Sequence, residues 1–202
     1  MPHAGAWGAR EALLAFAMWS VMMALMMTPA ATPMVVTYHR LARVPRATAS
    51  FVSGYLLVWT GFSVGAAALQ GVLHSARLLS VDSLRVAPTL GGVLLIVAGV
   101  WQLTPLRDAC LSKCRSPASF LMTEWRDGLR GAFDMGIRHG FWCVACCWAL
   151  MLLLFAAGVM NLFWIVAIAI WVLLEKTLPD ARWLSRAGGV LAIGWGVWLI
   201  LQ

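Results

Sequence analysis

Polar and charged positions along this chain are gathered into a few short segments. Between them lie apolar runs almost free of Lys, Arg, Asp and Glu, at 12–36, 50–73, 86–106, 140–158, 159–175 and 185–202. A helix needs about 20 apolar residues to cross a hydrocarbon layer of roughly 30 Å. The pattern therefore predicts an all-α, polytopic membrane helix bundle of six transmembrane helices forming one integral membrane domain over 1–202. The fourth and fifth runs are joined by a turn at Gly158 to Asn161, and the short last run lengthens backwards through Trp183 and Leu184. The first run is longer than a signal-peptide core and lacks a small-residue cleavage site after it, so it is expected to stay in the mature protein.

Composition agrees: 62% of residues are hydrophobic and 11% are charged, against about a quarter charged in soluble domains. The basic residues also orient the bundle, because cytoplasmic loops carry the excess of Lys and Arg. Six spans leave Arg10, Arg77 and Arg85 on one side. The other side receives Arg40, Arg43, Arg46, Arg107, Lys113, Arg115, Arg126, Arg130, Arg138, Lys176, Arg182 and Arg186. Both termini are thus expected outside, in the plasma (inner) membrane. The net charge of +7 borders apolar spans, where anionic lipid headgroups rather than nucleic acid are the expected partner.

The one long connection, 107–139, contains "SPASFLMTEWRDGL", with Ser116 placed to cap a helix and Pro117 at its first position. A short helix lying in the interface is predicted there. Gly91–Gly92 and Gly188–Gly189 open the third and sixth spans, where small residues permit close helix packing.

Five cysteines stand out in this setting. In "HGFWCVACCWALM", a helix at 100° per residue projects His139, Cys143, Cys146 and Cys147 into one arc of about 100°. His139 and Cys147 lie about 12 Å apart along the axis, too far to share one ion. The helix therefore offers one wall of a site, with His139/Cys143 and Cys143/Cys147 as adjacent pairs. "CLSKC" offers Cys110 and Cys114 one turn apart if the third span continues helically past Pro105. All five thiols would then gather at the cytoplasmic, reducing face, where stable disulfides are disfavoured and metal binding or thiol reactivity is favoured. An isolated cysteine is often mere packing, but five clustered with a histidine point to chemistry.

The first span carries "MWSVMMALMMTPAATP". Met18, Met22 and Met26 form one ladder and Met23 and Met27 a second, together spanning about 13.5 Å of helix. Thioethers and thiolates are soft ligands that select Cu(I) over hard cations, although methionine alone more often fills apolar gaps. Pro29 and Pro33 each remove an N–H from the ladder that follows, which predicts a kink beside the methionines. Glu175 is expected to pair with Lys176 or a loop arginine at the interface, and His3, His39 and His74 to be surface residues.

The strings "AMWSVMMALMMTPAATP", "GVWQLTPLRDACLSKCRSP", "GIRHGFWCVACCWALM" and "GVMNLFWIVAIAIWVLLEK" together resemble the family of predicted metal-binding integral membrane proteins known as domain of unknown function 2182. The resemblance covers nearly the whole chain. It departs from the family pattern at Trp101, where a Tyr is usual, at Arg107 for Lys, and at Val144–Ala145 for Leu-Gly. Each of Cys110, Cys114, His139, Cys143, Cys146 and Cys147 has a family counterpart, which the resemblance implies as metal ligands.

These features predict a membrane protein that binds a soft metal, copper first and zinc or an iron-containing centre as alternatives, for transport, storage or delivery. Met18, Met22, Met23, Met26 and Met27 are secondary ligand candidates, and a membrane-bound or soluble metal-handling protein is the expected partner. A thiol redox protein using Cys110/Cys114 and the C-x-x-C of Cys143 and Cys146 is one alternative. A metal-stabilised accessory or assembly subunit is another. No phosphate-binding loop, catalytic triad spacing or intramembrane carboxylate pair supports an enzyme of another class.

Overall fold

The computed structural model describes residues 7–80, 84–178 and 182–202; His3 lies outside them. The described chain is all-α, in the order α1 (Ala9–Ala42), α2 (Pro45–Ser75), α3 (Pro88–Gln102), α4 (Pro105–Arg115), α5 (Pro117–Glu124), α6 (Gly128–Ala157), α7 (Leu162–Thr177) and α8 (Arg182–Leu201). Helices α1, α2, α6 and α8 are each long and apolar enough to cross a membrane; α3 and α4 taken as one bent element make a fifth. Helix α7 is apolar from Leu162 to Leu174, but its 16 residues rise only about 24 Å.

Proline and its neighbours place most helix starts. Pro45, Pro88, Pro105 and Pro117 all stand in the first turn, where the missing N–H has no helical partner to lose. At Thr104–Pro105 this signal breaks the expected third span. The Thr104 hydroxyl accepts from the Arg107 N–H as an N-cap, and the chain restarts as α4 at 68° to α3. Cys110 and Cys114 therefore ride a separate helix, not an extension of α3. Helix α1, in contrast, runs unbroken through Pro29 and Pro33.

Glycines bring two helix pairs into backbone contact. A Cβ on Gly54 would stand 2.2 Å from the Phe133 carbonyl oxygen, and one on Gly136 2.0 Å from that of Phe51. Any larger residue at either position must push α2 and α6 apart. Helices α3 and α8 cross in the same way, Gly92 against Gly196 and Gly99 against Gly189. The small residues noted in the third and sixth apolar runs do sit at a close helix contact, through Gly92 and Gly189.

The α2–α6 seam organises the interior. One large core cluster joins Trp19, Met22, Met23, Met26 and Met27 of α1 with Tyr55 and Trp59 of α2, and it contains all five cysteines. A smaller cluster of Met34, Tyr38, Phe51, Phe120, Leu121 and Met135 closes one end of the bundle. Helix α6 begins at Gly128, so His139 sits about 16 Å inside its helix and not at its start.

Candidate metal centre

All five cysteines are buried and free. Cys143, Cys146 and Cys147 project from one face of α6, and α4 lies across that face. The Cys114 thiol lies close to those of Cys143 and Cys146, and Cys110 lies near Cys146, in one buried cluster. Two short stretches some thirty residues apart thus meet as two walls of one thiol-lined space.

Cys143 is the hub. Its sulfur lies 3.2 Å from the Tyr55 hydroxyl and accepts from the Lys176 ammonium at 2.8 Å. Its carbonyl accepts from the Cys146 thiol at 3.1 Å and the Cys147 thiol at 2.9 Å. Those two thiols are turned back on their own helix. Among the described residues no three His, Cys, Asp or Glu side chains form a ready-made metal cage. The thiols are gathered in one buried cluster without converging on a single point.

His139 is 2% exposed, one turn before Cys143. Its ring stacks on Phe51 and Tyr55, and Phe120 of α5 closes over it edge-on with centroids 5.6 Å apart. Its Nδ1 is buried with no hydrogen-bond partner. A buried, unsatisfied imidazole nitrogen is costly, and a metal ion is one acceptor of its lone pair that would remove the cost.

The methionines divide between two surroundings. Met23 and Met27 are fully buried on the core side. The Met27 carbonyl accepts from the same Tyr55 hydroxyl that touches Cys143, at 3.1 Å, which ties the inner ladder to the thiols. Met18, Met22 and Met26 line a groove of about 800 Å³ against α7. His39 is exposed beside Thr48, whereas His74 is half-buried against the Trp7 ring.

Two ionisable residues expected at an interface lie instead inside the bundle. Glu175 is 2% exposed and pairs with Arg107, the loop-arginine alternative rather than Lys176, but in the buried interior; Ser185 hydrogen-bonds Arg107 and Glu175. Lys176, 7% exposed, extends to Cys143. Sequence reasoning left Lys176 and Tyr55 out of the site. The available signal was a lysine next to a glutamate at the end of an apolar segment, where ionisable residues are rarely kept without a role.

The assembled donors, thiols with one imidazole and nearby thioethers, suit a soft cation. No curated relative and no solved structure matches the chain. Over residues 16–199, a stretch that holds every residue of this cluster, the sequence matches the family PpoB2, described as copper chaperone, and the chain belongs to that family.

Proposed function

We propose that this chain is an integral membrane protein of six spans, with both termini outside, that accepts Cu(I) at a buried Cys/His cluster and passes it to a partner. The observation that carries this reading is the meeting of α4 and α6, which sets Cys114 against Cys143 and Cys146 in a buried space. Copper is cargo here, and the residues that would take it are Cys110, Cys114, His139, Cys143, Cys146 and Cys147.

The chemistry follows from softness and geometry. A monovalent copper ion is content with two or three sulfur donors, so it can be held by a pair and moved by exchanging one ligand at a time. Cys114 on α4 and Cys143 on α6 supply the first pair, from different helices. Cys146, Cys147 and His139 flank that pair along α6, and the inner ladder of Met23 and Met27 gives weaker neutral sulfur deeper in the core. A gradient from thiolate to thioether lets the ion leave as well as enter.

Purified protein, kept reduced in detergent, is expected to bind Cu(I) stoichiometrically. The double variant Cys143→Ser with Cys147→Ser is expected to abolish that binding while leaving the helical content unchanged. His139→Phe keeps the aromatic stack and removes only the nitrogens, so a weakened Cu(I) complex in a stable variant marks His139 as a ligand. Undiminished binding in the double serine variant would overturn the reading.

A further inference from the structure

Lys176 has an unusual position for a cation. It is buried, and no carboxylate lies within ion-pair distance of it among the described residues. The adjacent Glu175 is committed to Arg107 and Ser185. What surrounds the ammonium is sulfur: it donates to Cys143 at 2.8 Å, with Cys146, Cys147 and Cys114 around it. A buried charge is kept only where something compensates it.

We infer that Lys176 is the fixed counter-ion of the copper site and sets it to hold a monovalent ion on two thiolates. This rests on the reading of the cluster as a Cu(I) site. The charge count is short. Cu(I) on two thiolates carries one net negative charge, and the ammonium brings the assembly to neutrality. A third thiolate adds a further negative charge, and among the described residues no second lysine or arginine bonds the Cys143 sulfur; the buried Arg107 is paired with Glu175. Burial therefore favours the two-coordinate complex, in which the remaining thiols stay protonated and free to take over as exchange partners. Lys176 acts through Cys143 and is a positioning residue, not a ligand.

Two measurements on the full chain in detergent test this. The first is a competitive titration of Cu(I) against a coloured Cu(I) chelator for wild type, Lys176→Leu and Lys176→Arg. The leucine variant, which brings no sulfur of its own, is expected to bind roughly tenfold more weakly or worse, and the arginine variant to stay within a few fold of wild type, because only the first loses the charge. The second is X-ray absorption of the copper-loaded wild-type protein, expected to show two sulfur neighbours. Undiminished affinity in Lys176→Leu overturns the inference, and so do three sulfur neighbours in the wild type, a result that needs no variant to fold. Failure of the wild-type protein to bind Cu(I) at all overturns the site itself, so the two failures are told apart.

Discussion

Arg107 and Glu175 stand 2.5 Å apart with 1% and 2% of their side chains exposed, an ion pair that ties α4 to α7 in the interior. Ser185 of α8 completes it, accepting from Arg107 and donating to the second Glu175 oxygen. The desolvation of two such ions is recovered only while both are present. Because α4 carries Cys110 and Cys114, this pair also holds one wall of the thiol cluster in place.

Removal of either partner alone is therefore expected to be severe. Arg107→Met or Glu175→Leu should each lower stability by about 3–5 kcal/mol, by leaving an uncompensated buried charge. The double variant should lose clearly less than the sum, because it removes both charges. A double-mutant cycle on thermal or denaturant unfolding in detergent measures the coupling. Additive losses would show that the two residues do not act as a pair.

Glycine substitutions on the two faces of the bundle should have opposite effects. Gly136→Ala places a Cβ against the Phe51 carbonyl and must move α2 relative to α6, at a cost of about 1–3 kcal/mol. The same shift displaces Tyr55 from Cys143, so Cu(I) affinity should fall with stability. Gly61 and Gly65 on α2 have open space where a Cβ would go. Alanine there should leave stability unchanged or raise it by up to about 1 kcal/mol through helix propensity alone. A melting series of the three alanine variants decides it, and equal responses at Gly136 and Gly61 would contradict the packing described.

The reach of sequence reasoning follows the range of the interactions. Uninterrupted apolar runs disclose α1, α2 and most of α6 because the signal is local and long. The shared face of His139, Cys143, Cys146 and Cys147 is likewise local, a matter of helical angle. The first three turns of α6 are harder. Arg130, Asp134 and Arg138 make them look like loop, yet Ala132, Met135, Gly136 and His139 mark the buried stripe. The break before α4 was legible in the Thr104–Pro105 pair, a capping residue followed by a helix-starting proline. Lys176 could not be placed from its surroundings in the chain. Its neighbour Glu175 offers an obvious local partner, and the true one is Cys143, 33 residues earlier, brought near only by the packing of α7 on the core.

The two methionine ladders of α1 have different surroundings. Met23 and Met27 are fully buried, whereas Met22 and Met26, though also buried, border the groove against α7. Leucine matches methionine closely in volume, so each pairwise exchange should cost less than about 1.5 kcal/mol per site and leave the fold intact. What it removes is the sulfur. If the inner ladder receives copper from the thiol cluster, Met23→Leu with Met27→Leu should keep the first, thiol-bound equivalent of Cu(I) and lose a weaker second one. Met22→Leu with Met26→Leu should keep both, because those side chains line the groove against α7. Titration of both double variants with Cu(I), read alongside copper release to a competing chelator, distinguishes the ladders. Retention of the second equivalent by the inner-ladder variant would reduce those methionines to core packing, with the cysteine cluster acting alone.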